Sequence, residues 1–306
     1  MDNNFFKKTR ILDGGMGQEL LAKGLISKGT LWSTSAILEK KFHNLVIDVH
    51  MSFINSGAEV IVTNTFSSRR IRLIQNKAEK YFNYVNEQAC LLSLKAKELS
   101  KKNILIAGSL PSQCDTYVED KRESKAIEKD FYDQAQIIGP YVDFFYLDVI
   151  SSGREIDIAS NIALKLNKPV LVGVHLKKNG LLHSNETISE VFQKYRNSNW
   201  IGFISACVSP EITEHCINEI KKFNIPFGFK VNLWKIDEPT PVQTFNTAKP
   251  HEIGTNPNIA LGKRDDINEK KILDFAKRMK ESGATILGGC CEMKPSHIKS
   301  ISKLKL

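Results

Sequence analysis

Two adjacent thiols near the end of the chain, Cys290 and Cys291, follow two glycines in the run Gly288-Gly289-Cys290-Cys291, and a third, Cys207, closes the apolar stretch 200–207. Neighbouring cysteines are poor partners for one another, because the small ring closed by such a disulfide is strained. They are well placed to put two thiolates on one soft cation. A third thiolate from a distant segment leaves a fourth coordination position open, the pattern of a catalytic zinc site and not of a closed structural one. The plainer alternative is that all three pack as small buried hydrophobes. Cys90, in a helical stretch, reads as packing, and Cys114 and Cys216 read as incidental.

Such residues need elements to position them. Short apolar, β-branched runs at 10–13, 59–64, 104–108, 143–148, 169–175, 200–206, 226–232 and 284–288 predict eight strands. Helical periodicity separates them at 36–56, 74–101, 125–139, 153–166, 187–196, 210–223 and 267–282. Strands apolar on both faces and divided by helices favour a parallel sheet covered by helices. Eight such units predict an α/β fold, a (β/α)8 barrel of the TIM type, as one domain over residues 1–306. A doubly wound sheet is the competing arrangement. The long connections 14–35 and 233–266 are of a length that often makes a functional lid.

A barrel of this type carries its active site where the strands end. Asp13-Gly14-Gly15 follow the first strand, Asn64-Thr65 the second and Gly108-Ser109-Leu110-Pro111 the third. Asp148 ends the fourth, His175 the fifth, Cys207 the sixth, Asn232 the seventh and Cys290-Cys291 the eighth. Strands six and eight are close neighbours on a closed barrel, so the three thiols can converge on one zinc at the C-terminal mouth.

Composition narrows the class. Hydrophobic content of 42% and charged content of 25% are ordinary for a globular chain. The net charge of +9 comes from lysines interleaved with acids, as in 76–103 and 265–280, which read as solvated faces. No basic strip with interleaved aromatics points to nucleic acid. No apolar run is long enough for a secretion signal or a membrane span. Six cysteines in 306 residues are not a disulfide scaffold, so reduced thiols or metal ligands in a cytoplasmic protein are expected. Oligomeric state has no signature here.

Several stretches together carry a resemblance: Leu12-Asp13-Gly14-Gly15-Met16-Gly17-Gln18-Glu19-Leu20, Leu31-Trp32-Ser33, the segment 56–66 ending in Thr63-Asn64-Thr65-Phe66, Ala107-Gly108-Ser109-Leu110-Pro111, Gly288-Gly289-Cys290-Cys291 and Pro295-Ser296-His297-Ile298. They resemble the homocysteine S-methyltransferases, zinc-dependent barrels that include S-methylmethionine- and betaine-dependent enzymes and the first domain of cobalamin-dependent methionine synthase. The resemblance implies that Cys207, Cys290 and Cys291 bind Zn2+. It also implies methyl transfer from a cationic donor to homocysteine, forming methionine, with S-methylmethionine or S-adenosylmethionine favoured and a betaine or dimethylsulfonio compound as the alternative. Two departures stand out. Asp148 occupies the place where a Glu usually holds the homocysteine amino group, and its side chain is shorter by roughly 1.5 Å. Ser67 and Val149 stand where betaine-specific members carry Tyr.

The residues themselves suit this chemistry. A free thiol has a pKa of about 8.5, and coordination to zinc deprotonates it outright. Three thiolates on Zn2+ leave a net negative site that attracts a cationic donor, for which the face of Trp32 is the candidate. Asp13 would touch the substrate ammonium or order the Gly14-Gly15 turn, and those glycines allow a ligand close to the backbone. The run Gly14-Gly15-Met16-Gly17 lacks the dinucleotide spacing. Asn64 and Thr65 would bind the substrate carboxylate or cap the next helix. His175 and Asn232 read as satisfied polar groups at the mouth. Asp48-Val49-His50 opens like a cobalamin-binding run, but Phe53 takes the position of its glycine. Two other classes remain: a zinc- or thiol-binding barrel without turnover, and a metal-free barrel using Lys230 as a Schiff base.

Overall fold

Eight strands line up in the computed structural model, which describes residues 4–305: β1 (Arg10–Ile11), β2 (Val60–Val62), β3 (Leu105–Pro111), β4 (Phe144–Ile150), β5 (Val170–Val174), β6 (Trp200–Ala206), β7 (Phe227–Val231) and β8 (Ile286–Gly289). Every neighbouring pair is parallel, in the order β1-β8-β7-β6-β5-β4-β3-β2. The ring closes where Leu12 bridges Val60, with Asp13 N–H on Val60 O at 3.0 Å and Glu59 N–H on Ile11 O at 2.8 Å. A doubly wound sheet has two open edges; this sheet has none, so the (β/α)8 barrel is the architecture.

Alternation along the strands builds two apolar layers. Leu12, Val62, Phe144, Tyr146, Leu171, Ile204 and Ile286 fill the barrel, while Ile11, Ile61, Phe145, Leu147, Val172 and Leu287 face the helices. Phe6 plugs the lower end, edge-on to Phe144 at 5.7 Å. Burying each such side chain contributes roughly 1.5–3 kcal/mol. The outer ring comprises α1 (His43–Asn55), α2 (Phe82–Ser100), α3 (Ser124–Ile138), α4 (Gly153–Lys165), α5 (Ile188–Tyr195), α6 (Pro210–Ile220), α7 (Glu269–Glu281) and α8 (Pro295–Ser302).

Two expected helices are broken. The periodic stretch 36–56 splits at Glu39, whose backbone is extended, and the His43 ring bonds Ile37 O at 2.9 Å across the break. The stretch 74–101 splits after Gln75, because Lys77 is left-handed at φ 54°. The sequence reading has no eighth helix; α8 is too short for periodicity to reveal, though Pro295 at its first turn is a start signal.

The two long connections meet over the mouth. Gly29 N–H reaches Glu252 O at 2.7 Å, Gly254 N–H reaches Ser27 O at 2.9 Å, and Asn246 Nδ2 donates to Gly29 O at 3.2 Å. They form a roof containing the short helices Met16–Ala22, Val242–Phe245 and Pro257–Leu261. No helix among the described residues is long and apolar enough to cross a membrane.

Candidate metal centre and substrate pocket

The ends of β6 and β8 bring three thiols together. The Sγ atoms of Cys207, Cys290 and Cys291 all lie within 4.8 Å of one another, with Cys207 to Cys291 at 3.8 Å and Cys290 to Cys291 at 4.0 Å. Tetrahedral zinc with Zn–S bonds of ~2.3 Å requires sulfurs about 3.8 Å apart, so this all-thiol set fits that ion. All six cysteines are free.

Backbone bonds fix the thiols. Cys207 N–H donates to Lys230 O at 2.8 Å, Cys290 N–H to Val231 O at 2.7 Å, and Leu233 N–H to Cys291 O at 3.0 Å. Cys207 is left-handed at φ 55°, which turns the chain from β6 toward α6, capped by Ser209. Such a conformation in a non-glycine residue costs energy and is held by its surroundings. Asn232 Nδ2 donates to Cys207 O and lies 3.7 Å from its Sγ, while the Tyr117 hydroxyl lies 3.3 Å from the same sulfur. Hydrogen bonds from Cys290 and Cys291 pull the Cys207 thiol well below its ordinary range, against burial. Those same contacts with Cys207 hold Cys290 and Cys291 well above it. The three thiols are coupled to one another and titrate as a unit.

The other sequence-predicted residues divide. Asp13, 1% exposed, is engaged at both oxygens: Oδ1 pairs with Lys230 Nζ at 2.6 Å and Oδ2 accepts from Val62 N–H at 2.7 Å. It lines the pocket while tying β1 to β2 and β7. Burial works to lower the Lys230 pKa, but Asp13, Cys290 and Asp148 outweigh it, and the net shift is upward. A Schiff-base lysine needs the opposite. Gly14 and Gly15 also line the pocket, yet their close approach is to the thiol turn: a Cβ on Gly15 would sit 2.6 Å from Cys290 O, and one on Gly14 would sit 2.2 Å from Met293 O.

Asn64 lines the pocket and donates to Ser33 O at 3.1 Å. Thr65 does not line it; its hydroxyl bonds Thr63 Oγ1 and Ser109 O, both at 2.8 Å, linking β2 to β3. Asp148 accepts from Ser109 Oγ at 2.7 Å, and burial pushes its carboxyl up to about 7, opposed by Lys230. The register of β4 shifts between Leu147 and Ile150, with Val149 at φ 63°. This bulge displaces the backbone beside the shortened side chain. His175 is a satisfied histidine, its Nδ1 on Ala206 O at 3.2 Å and its ring against Tyr117.

Trp32 also lines the pocket, edge-on to Phe66 at 6.3 Å, with its Nε1 donating to Gln18 Oε1 at 3.2 Å. A Cβ on Gly17 would lie 2.3 Å from the indole, so glycine there makes the space. Gln18 Nε2 in turn reaches Asn258 Oδ1 at 3.0 Å and Glu292 Oε1 at 2.7 Å, joining Trp32, the roof and the residue after Cys291. The pocket is open to solvent, and the space within it and at its mouth is about 1030 Å³. Its wall also holds Phe66, Arg69, Arg72, Tyr117, Trp234 and Phe245, none of which the sequence reading selected as a site residue. Their signals were weak because they lie in connections whose placement depends on distant contacts.

The homocysteine S-methyltransferase family model matches residues 10–304. The chain belongs to the homocysteine S-methyltransferase family. Within that family it is 23% identical to homocysteine S-methyltransferase 2 of Saccharomyces cerevisiae, over 97% of this chain and 94% of that one. It is 25% identical to the S-methylmethionine–homocysteine S-methyltransferase of Pongo abelii (95% and 77% covered) and 21% identical to the selenocysteine methyltransferase of Astragalus bisulcatus (97% and 92%). The metallated homocysteine methyltransferase MmuM of Escherichia coli superimposes with a TM-score of 0.77 at 17% identity, covering 97% of this chain and 96% of that one. The named acceptors differ among these relatives, homocysteine for two of them and selenocysteine for the third.

Proposed function

We propose that this chain transfers a methyl group from a cationic donor, S-methylmethionine in the first place, to the thiolate of homocysteine, yielding methionine. The observation that carries the reading is the convergence of Cys207, Cys290 and Cys291 in a pocket that aromatic side chains also line. These thiols would hold Zn2+, which supplies a substrate thiolate at neutral pH. Asp148, with its carboxylate fixed by Ser109, receives the substrate ammonium, and Asn64 stands at the strand end beside it. Asp13, Gly14 and Gly15 form the floor of that subsite by bracing the thiol turn.

Trp32 offers its π face to the donor cation. The roof formed by 14–35 and 233–266 excludes water and holds sulfur, methyl carbon and leaving atom in line. The homocysteine sulfur lone pair forms the new S–CH3 bond as the donor's S+–CH3 bond breaks, and that electron pair remains on the leaving sulfur as a neutral thioether. S-adenosylmethionine, betaine and dimethylsulfonio compounds are the competing donors. A site that works through free thiols supports a reducing compartment such as the cytoplasm.

The test uses protein purified without chelator. The expected result is about one zinc per chain and methionine formation from homocysteine with S-methylmethionine, faster than with S-adenosylmethionine or betaine. Zinc binding with no methionine from any of these donors would favour a non-catalytic thiol-binding barrel. No zinc after reduction and metal supplementation would remove the basis for thiolate activation.

A further inference from the structure

We propose that Arg69 is the anion subsite of this pocket, docking the carboxylate of the methyl donor. The inference rests on the methyl-transfer reading and adds a second charge requirement to the donor: an onium group and a carboxylate in one molecule.

Arg69 follows the short 3-10 turn after β2, forms part of the pocket wall and is only 1% exposed. Among the described residues no carboxylate lies within ion-pair distance of it. Its Nη1 donates to Ser112 O at 2.8 Å and its Nη2 to Thr116 Oγ1 at 2.7 Å, while Nε finds no acceptor. A guanidinium has five N–H donors, so most of its capacity is unused. Arg72, in the same pocket lining, ion-pairs with Asp115 at 2.5 Å, and Asp115 also accepts from Thr116 N–H and Gln243 N–H, while Asp115 and Asp148 act on Arg69 only through space. Of the two buried arginines, Arg72 has an ion-pair partner and Arg69 has none among the described residues. Burial and the charge of Arg72 draw the Arg69 guanidinium down to about 10, which leaves it charged at neutral pH. A buried charge paired only with dipoles is costly until a counter-ion arrives.

The position points to the donor. Arg69 Cζ lies 5.1 Å over the Phe66 ring, and Phe66 meets Trp32 edge-on, so an aromatic face and a guanidinium follow one another along one wall. The acceptor is claimed elsewhere, by the thiols at the ends of β6 and β8 and by Asp148 at the end of β4. Carboxylate recognition by a guanidinium fork is geometrically specific, and lysine does not reproduce it fully.

Calorimetry on the zinc-loaded full chain tests this with S-methylmethionine, its methyl ester and homocysteine as titrants, for the native protein, Arg69→Gln and Arg69→Lys. The native protein should bind S-methylmethionine about 10- to 100-fold more tightly than the ester. Arg69→Gln should abolish that preference, and Arg69→Lys restore part of it, with homocysteine affinity and zinc content unchanged. Equal binding of acid and ester by the native protein overturns the proposal, and this arm needs no variant to fold. A loss confined to homocysteine would assign the carboxylate to the acceptor and overturn it equally. Tight, ester-sensitive binding without methionine formation would keep the subsite and discard the methyl-transfer reading.

Discussion

The two walls of the pocket are built by different means. On the thiol wall, Cys207, Asn232, Cys290 and Cys291 stand within a residue or two of strand ends, and the backbone bonds of β6, β7 and β8 continue directly into them. On the aromatic wall, Trp32, Phe66, Arg69, Trp234 and Phe245 stand in connections, positioned by contacts between segments far apart in sequence. The first wall inherits its geometry from the barrel, and the second has to assemble its own. A site that activates one fixed chemical group and accepts a variable donor suits this division.

The largest effect should come from breaking the inherited wall. Cys207→Ser, Cys290→Ser or Cys291→Ser removes one of three soft ligands, and each should lower zinc content well below one per chain and methyl transfer by more than about 10³-fold. Elemental analysis beside a methionine assay checks both. Retention of zinc and rate by any one variant would take that residue out of the ligand set. A smaller loss should follow Asn232→Ala, which deletes the amide held against the carbonyl and sulfur of Cys207. Removing such a supporting partner typically costs about 10–100-fold in metal affinity, readable in a competition titration with a chromophoric chelator.

The same division explains what the sequence could reveal. Strand ends are marked by apolar runs, so Asp13, Asn64, Asp148, Cys207, Asn232 and Cys290 could be placed at the mouth before any coordinates, and eight strands were countable. The ring closure through Leu12 and Val60 was not written in any local pattern. Asp13 illustrates the limit within a legible region: its position could be read, but its pairing with Lys230, 217 residues away, could not. Lys230 in turn looked like a lone lysine in a strand. Arg69 and Trp234 were missed because nothing local distinguishes a connecting residue that faces inward from one that faces out. The breaks at Glu39 and Lys77 were hidden for a related reason, since hydrophobic periodicity runs on through a change of backbone direction.

The assembled wall can be probed with milder expectations. Trp32→Ala should raise the KM for a cationic donor by about 10-fold, the scale of a desolvated cation–π contact, and leave zinc content and the KM for homocysteine unchanged. A rise in the homocysteine KM alone would move Trp32 to the acceptor side. Gln18→Leu lies between the walls, because its amide joins Trp32 and the roof to Glu292 beside Cys291. A few-fold rise in donor KM with zinc retained is expected; loss of zinc would mean that the thiol wall also depends on long-range assembly, and the contrast between the walls would weaken.

One element serves both walls and gives the smallest expected effect on rate. The connection after β3 supplies the Ser112 carbonyl that takes Arg69 and the Tyr117 hydroxyl that approaches Cys207. Beneath it, at the start of α4, Glu155 is fully buried, with Oε2 accepting from Ser152 Oγ at 2.7 Å. Burial raises its carboxyl from an ordinary 4.5 to about 7, opposed by the hydrogen bond from Ser152. The native state therefore binds this proton more tightly than the unfolded chain does. The resulting stability is fully present below about 4.5 and is lost as pH rises through about 7, an upper bound of about 3 kcal/mol. Glu155→Gln stays neutral throughout, so its stability relative to the native protein should improve between pH 5 and pH 8 in denaturant titrations. Rate and donor preference at fixed pH should hold within about two-fold, because the amide keeps the volume and one acceptor under both walls. A parallel pH dependence of stability in the two proteins would show that the buried carboxyl is not what titrates.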